Sequence, residues 1–153
     1  QLMPYRIAKS FTGESGHILS EHPGACRFPH GHSRTVEIVL VADTLDAHDM
    51  VCDFKAVKCA AQAFVERFDH SMALNTDDAK FADYQAMYGE RIIPFPHTDP
   101  TSEAVARFVF DHVKAALAAL MQQQAPQYPV RQTVRLERVR VTETASSWAE
   151  YWE

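Results

Sequence analysis

RTVEIVLVAD, residues 34–43, has the clearest secondary-structure pattern in this chain. Val36, Ile38 and Leu40 occupy every second position, and Glu37 lies between the first two. This two-residue period predicts a pleated β-strand with one buried face. The chain therefore contains a sheet, and the segments on either side indicate how that sheet is completed.

The same kind of pattern predicts several other strands. They lie at residues 3–11, 131–142 and 147–152, with a short edge strand at 91–95, where prolines follow the apolar run. In residues 131–142 the alternation slips between Leu136 and Val139, which predicts a β-bulge. Residues 12–29 are rich in Gly, Ser, Pro and His and are expected to form an irregular loop.

Two segments with apolar residues at three- and four-residue spacing predict helices. The first covers residues 54–68 behind a capping Asp53, and the second runs from Asp99-Pro100 to about residue 123. The order is strand, strand, helix, helix, strand, strand. It predicts an α+β fold in which two helices cover one face of an antiparallel four-stranded sheet.

Length and composition limit the class of protein. The chain has 153 residues, which is enough for one domain over residues 1–153 with its own core. Its hydrophobic fraction of 46% excludes intrinsic disorder, and its net charge of -5 disfavours a nucleic-acid partner. No apolar run reaches membrane-spanning length, so no membrane partner is expected. Three cysteines and no recognisable signal peptide predict a reducing, cytoplasmic setting.

The motif CRFPHGH, residues 26–32, is the strongest chemical signal. If a strand begins by His30, the imidazoles of His30 and His32 point to the same side, with only Gly31 between them. Two such imidazoles can bind one metal ion, and zinc is the expected ion. A third ligand is needed, and His17 is the best candidate. The weaker candidates are His22, His48, His97 and His112.

Cys26, four residues before His30, has two possible roles that the sequence leaves open. It is either a fourth ligand that closes a structural metal site, or an acid/base thiol beside an open three-histidine site. Cys52 and Cys59 are interpreted as ordinary apolar residues.

Other polar groups are weaker candidates. Asp69 precedes His70, and a carboxylate beside an imidazole can make a proton donor or acceptor, although a polar helix end has the same pattern. Glu143 ends an apolar and basic strand, where it can accept two parallel N–H bonds or simply face solvent. Thr101-Ser102-Glu103 is typical of a helix N-terminus.

Together these pieces form an ordered series that resembles one family. The series covers the chain from about residue 11 to residue 151. It consists of His17, Cys26 with His30-Gly31-His32, Met50-Val51-Cys52-Asp53-Phe54, Asp69-His70 with Leu74-Asn75, Pro100-Thr101-Ser102-Glu103, and Thr142-Glu143-Thr144. It is similar to the 6-pyruvoyltetrahydropterin and 6-carboxytetrahydropterin synthase family.

The resemblance implies a fold, an assembly and a set of roles. The fold is the tunnelling fold, in which sheets of several subunits close a barrel, and the assembly is a homohexamer of two trimers with active sites at subunit interfaces. The implied roles are zinc ligation by His17, His30 and His32; a thiol base, Cys26; a proton relay, Asp69-His70; pterin binding by Glu143; and a pocket lined by Thr101, Ser102 and Glu103.

The gap between the cysteine and the paired histidines suggests a branch of the family. Three intervening residues resemble the bacterial carboxy-forming enzymes of the queuosine (7-deazaguanine) pathway. Their substrate is 7,8-dihydroneopterin triphosphate, and their products are 6-carboxytetrahydropterin, acetaldehyde and triphosphate. The alternatives are the pyruvoyl-forming synthase and a non-catalytic structural-zinc module.

The sequence does not identify the triphosphate-binding residues, and it departs from the family pattern at two places. Arg27, Arg34, Lys9 and Arg91 are unranked candidates for the triphosphate. The chain also departs from the family pattern at Glu14, where a small residue is usual, and in residues 76–98, which are longer than in compact bacterial members.

Overall fold

The computed structural model describes residues 2–153. The chain forms six strands and three helices of more than one turn within this range. The strands are β1 (Tyr5–Ile18), β2 (His30–Ala42), β3 (Ser71–Asn75), β4 (Ile92–Phe95), β5 (Arg135–Thr144) and β6 (Ser147–Trp152). The helices are α1 (Phe54–Glu66), α2 (Phe81–Tyr88) and α3 (Ser102–Gln122).

The strands build one mixed sheet in the order β4-β3-β1-β2-β5-β6. The α+β class is confirmed, but the prediction of four strands, all antiparallel, was wrong. The pairs β1–β2, β2–β5 and β5–β6 are antiparallel, whereas β3 pairs in parallel with both β1 and β4. The strand β3 has only five residues, which is too short to show a period in the sequence.

The first strand is also longer than predicted, because residues 12–18 continue β1 instead of forming a loop. Gly13, Ser15 and Gly16 are poor strand formers in isolation. They are held by β2 along one edge, and Ser15 and Gly16 also pair with β3 along the other. Tertiary pairing thus outweighs local propensity in this segment.

The core lies between α1, α3 and one face of the sheet. The alternating residues Val36, Ile38 and Leu40 of β2 join one buried cluster with the apolar faces of both helices, as predicted. Asp53 caps α1 by accepting from the Lys55 amide at 2.8 Å. The second long helix begins later than predicted because Thr101 caps it, accepting from the Ala104 amide at 3.1 Å.

Two irregular features complete the sheet. The β2–β5 pairing shifts register between Val39 and Leu40, opposite Arg138 and Leu136, which confirms the predicted bulge. Residues 76–98 supply α2 and the edge strand β4. The aromatic residues Phe81 and Tyr84 of α2 pack on a small second cluster beside β3. Across residues 2–153, no helix is long and apolar enough to cross a bilayer.

The strands β1, β2 and β3 come close together at Gly16, so a substitution at this position tests how tightly they are packed. Gly16 pairs with Gly31, and a Cβ at this position would lie 3.1 Å from the Ser71 carbonyl oxygen and 3.3 Å from that of His30. We expect Gly16→Ala to lower the free energy of unfolding by about 1–3 kcal/mol, measured by urea denaturation. Gly24→Ala is the matched control, because its Cβ would meet only a movable His22 side chain. Equal stability of both variants would show that the strands can separate at little cost.

Candidate functional site

The pairing of β1 with β2 brings three imidazoles together at one end of the sheet. His17 lies opposite His30, and Ser15 lies opposite His32, so all three rings project from the helix-covered face. The Nε2 atom of His17 lies 2.9 Å from that of His30 and 3.2 Å from that of His32. These three histidines are positioned to bind a metal ion.

The hydrogen bonds on the far side of two rings fix their tautomers. His17 Nδ1 lies 2.8 Å from the Pro100 carbonyl oxygen, and His30 Nδ1 lies 2.7 Å from that of Phe28. A carbonyl oxygen can only accept, so both Nδ1 atoms carry the proton. In a ring protonated only at Nδ1, Nε2 carries a lone pair, and the Nε2 atoms of His17 and His30 face each other at 2.9 Å. Two converging lone pairs repel unless a cation lies between them, so the donor set fits a metal ion.

The spacing of the nitrogens also fits zinc. Zn–N bonds of about 2.0–2.1 Å at a tetrahedral angle place two nitrogens about 3.3 Å apart. The measured separations of 2.9 and 3.2 Å are close to that value. All three ligand atoms lie within 4.8 Å of one another, so the group is compact enough to surround such an ion.

Charged neighbours set the electrostatics of the centre. Burial lowers the pKa of His17 to about 4, and the adjacent Arg34 guanidinium acts in the same direction. Burial and the Arg34 guanidinium also lower the pKa of His32, and the Glu143 carboxylate partly offsets this lowering. Glu143 Oε1 lies 3.7 Å from His32 Nε2 and 3.9 Å from His17 Nε2. At neutral pH His17 is therefore uncharged, as a metal ligand must be.

Cys26 lies in a short 3-10 turn, Ala25–Arg27, just before β2. Its side chain is partly buried, and its carbonyl oxygen accepts from the Leu19 amide at 3.1 Å. The group of converging ligand atoms found within residues 2–153 contains the three histidines but not Cys26. This arrangement is compatible with a thiol that flanks the centre.

Asp69 and His70 lie between α1 and β3, next to β1. His70 Nδ1 lies 3.1 Å from Asp69 Oδ1, and both side chains are substantially exposed. The backbone of Glu14 holds the pair, since its amide donates to Asp69 Oδ1 at 2.8 Å and its carbonyl accepts from the His70 amide. The hydrogen bond from the Glu14 amide holds the pKa of Asp69 below its usual value, and the hydrogen bond with His70 acts in the same direction with a smaller effect. His70 has a positive φ of 55°, an uncommon conformation for a histidine.

At the start of α3, Ser102 faces a different part of the protein from Thr101 and Glu103. Ser102 is buried and turns towards the histidines, where its hydroxyl lies 3.4 Å from Glu143 Oε1. Thr101 and Glu103 instead line a separate cleft of about 620 Å³, together with Arg107 and Tyr151. Their predicted role in the same pocket as Ser102 remains a prediction.

Arg34 is the neighbour whose role the sequence did not indicate. It was only one of several candidates for the triphosphate, yet its side chain is buried against His17 and Ser102. The available signal was its position, because the two-residue period of β2 places it on the same face as His30 and His32. Glu14, where the sequence departs from the family pattern, does not contact the histidines: its side chain is exposed and accepts a hydrogen bond from the Ser33 hydroxyl at 2.7 Å.

The remaining histidines lie outside the centre. His112 stacks on Phe64 with 3.7 Å between ring centroids, and burial lowers its pKa. His97 pairs with Asp77 at 2.8 Å on an exposed loop. His22 accepts from the Gly24 amide, and His48 lies in an exposed turn. The structure thus brings His17 to His30 and His32, and its role as the third metal ligand stays a prediction.

Comparison with known proteins agrees with this geometry. Residues 6–153 match the family described as 6-pyruvoyl tetrahydropterin synthase. The chain belongs to this family. Among curated members, it is 33% identical to the 6-carboxy-5,6,7,8-tetrahydropterin synthase of Aquifex aeolicus, over 99% of both chains. It is 34% identical to the enzyme of that name from Rickettsia conorii, over 61% of this chain and 68% of the other.

Solved structures show that the family fold is shared. An uncharacterized protein of Wolinella succinogenes superposes with a TM-score of 0.77 at 21% identity, over 100% of this chain and 99% of the other. The 6-pyruvoyl tetrahydropterin synthase of Caenorhabditis elegans superposes with a TM-score of 0.66 at 19% identity, over 99% of this chain and 97% of the other. These likenesses show that the chain shares the fold of these structures.

Proposed function

We propose that this chain is a zinc-dependent 6-carboxy-5,6,7,8-tetrahydropterin synthase that acts in queuosine (7-deazaguanine) biosynthesis in the cytoplasm. It converts 7,8-dihydroneopterin triphosphate and one water into 6-carboxytetrahydropterin, acetaldehyde and triphosphate. The observation that carries the proposal is the full-length match to relatives named for this reaction, combined with three converging imidazoles. The three-residue gap between Cys26 and His30 favours the same branch.

In this proposal His17, His30 and His32 hold the zinc ion. The ion supplies Lewis acidity towards the hydroxyl groups of the substrate side chain. The carbonyl oxygens of Pro100 and Phe28 orient two of the ligands by accepting their Nδ1 protons. These contacts keep the Nε2 lone pairs directed at the ion.

The chain's own acids and bases move the protons. The Cys26 thiolate removes a proton from the substrate side chain. His70, held by Asp69 at 3.1 Å, carries a proton at its own or a neighbouring subunit's centre. Its exposure makes it available to a second chain.

Glu143 provides the pterin anchor. Its carboxylate accepts the ring N–H and amino N–H groups of the pterin as two parallel hydrogen bonds. Its position 3.7 Å from His32 Nε2 would hold the pterin ring beside the zinc ligands. In this proposal Ser102 lines the pterin pocket beside Glu143. Thr101 and Glu103, which line a separate cleft within one chain, are proposed to contribute to the pterin pocket as well.

The proposed assembly is a homohexamer built as two trimers. The strand β6 is paired on one side only, so its outer edge offers free backbone groups for a further strand. Trp148 and Trp152 on this strand are 52% and 69% exposed. Such an edge is suited to continue into the sheet of the next subunit, as the tunnelling fold requires.

The pyruvoyl-forming reaction is the second candidate, because the matching family is described by that name. It would use the same ligands, thiol and relay but would end after loss of triphosphate. The two reactions differ in whether a carbon–carbon bond is cleaved.

A product assay tests the proposal. Zinc-loaded protein is incubated with 7,8-dihydroneopterin triphosphate, and pterins and aldehydes are resolved by mass spectrometry. We expect 6-carboxytetrahydropterin and acetaldehyde in equal amounts. Pyruvoyltetrahydropterin without acetaldehyde would instead support the second candidate. Unchanged substrate in the presence of folded, zinc-loaded protein would contradict both.

A further inference from the structure

Arg34 is a buried cation without a direct ion pair. Its exposed fraction is 7%, and no carboxylate oxygen of residues 2–153 lies within 4.0 Å of its guanidinium. A buried charge costs free energy unless it is well compensated. The position of Arg34 therefore calls for an explanation beyond packing.

One arm of the guanidinium is linked to Glu143 by two consecutive hydrogen bonds through Ser102. Arg34 Nη1 donates to Ser102 Oγ at 3.0 Å. Because that bond occupies an acceptor site of the hydroxyl, the Ser102 proton is free to point to Glu143 Oε1 at 3.4 Å. Glu143 thus compensates Arg34 through Ser102 rather than by contact.

The other arm lies against a metal ligand. Arg34 Nη2 is 3.2 Å from His17 Nδ1 and 3.5 Å from His17 Nε2. The Nδ1 proton already goes to the Pro100 carbonyl, so Nδ1 cannot accept from Arg34. The near-equal distances to the two ring nitrogens place Nη2 over the face of the His17 ring, with its positive charge 3.5 Å from Nε2, the atom that would bind the ion.

We propose that Arg34 sets the metal affinity of the three-histidine centre by opposing cation binding with a fixed buried charge. Arg34 is buried and its Nη2 lies 3.5 Å from His17 Nε2, so solvent would screen little of its repulsion towards a divalent ion held there. Glu143, on the other side of Ser102, favours the cation. The affinity therefore results from a balance between one positive and one negative side chain beside the same ligands.

This inference rests on the metal centre of the proposed function but not on the pterin reaction. The direction of the change in zinc affinity makes the inference testable, since removal of an arginine with only a structural role would weaken zinc binding. Damage to the site weakens metal binding, whereas loss of a repelling charge strengthens it.

The test measures zinc dissociation constants of the full chain by competition with a chromophoric chelator at constant pH. Arg34→Met removes the charge, Arg34→Gln removes the charge but keeps a donor towards Ser102, and Arg34→Lys keeps the charge. Arg67→Met, at the exposed end of α1, controls for the loss of one positive charge elsewhere. Circular dichroism of each variant verifies that the fold is retained.

We expect both neutral variants to bind zinc at least about tenfold more tightly than wild type. Arg34→Lys and Arg67→Met should stay within about threefold of it. Unchanged or weaker binding by the folded neutral variants would overturn the inference. A wild-type chain with no measurable zinc affinity would instead overturn the metal centre itself, so the two failures are distinguishable.

Discussion

Replacement of Cys26 by alanine is expected to lower kcat by about 10²- to 10⁴-fold while zinc remains bound. This range is the usual contribution of a positioned acid or base. Cys26 precedes His30 by four residues and is not among the ligand atoms that converge at the three histidines. Its loss should therefore remove proton transfer and leave the metal in place. Turnover and zinc content per chain are measured on the same preparation.

Cys59→Ala is the matched control, because Cys59 is an exposed cysteine of α1. It should keep both turnover and zinc. If Cys26→Ala loses its zinc and its stability together, the cysteine is a fourth ligand and the centre is structural. A Cys26→Ala variant with wild-type turnover would remove the thiol from the mechanism.

Replacement of His32 by alanine is expected to weaken zinc binding more than about 100-fold and to abolish turnover. Loss of a group that only orients a ligand already costs 10- to 100-fold in affinity, so loss of a ligand costs more. His17 and His30 would remain with their tautomers fixed by Pro100 and Phe28, but two nitrogens do not hold zinc in an open site. Metal content after dialysis and the dissociation constant are the measurements.

His48→Ala controls for the loss of an imidazole, since His48 lies in an exposed turn away from the centre. It should retain zinc and activity. Full zinc content in folded His32→Ala would show that the metal is held elsewhere or that His32 is not a ligand.

Local sequence patterns predicted the central elements of the fold correctly. The period of β2, the apolar faces of α1 and α3 and the bulge opposite Leu40 all appear where the pattern places them. Residues 12–18 and 71–75 could not be predicted, because neither segment has a strong period. Each is held as a strand by its neighbours in the sheet: residues 12–18 by β2 and β3, and residues 71–75 by β1 and β4.

The site shows a similar division. The two-residue period alone places His30 and His32 on one face. The position of His17 depends on the β1–β2 register, which sets it opposite His30 across 12 intervening residues. The involvement of Pro100 and Arg34 required the packing of α3 on the sheet. The local sequence therefore places His30 and His32 together, whereas the approach of His17 and of the groups around the rings depends on tertiary packing. That these three histidines are metal ligands stays a prediction.

X-ray absorption of the zinc-loaded wild-type protein would reveal which atoms coordinate the ion. We expect an open metal centre held by three imidazoles, with Cys26 outside the coordination sphere: three nitrogen ligands at about 2.0–2.1 Å, one oxygen ligand and no sulfur. A sulfur ligand at about 2.3 Å would show instead that Cys26 closes the site and that the zinc is structural.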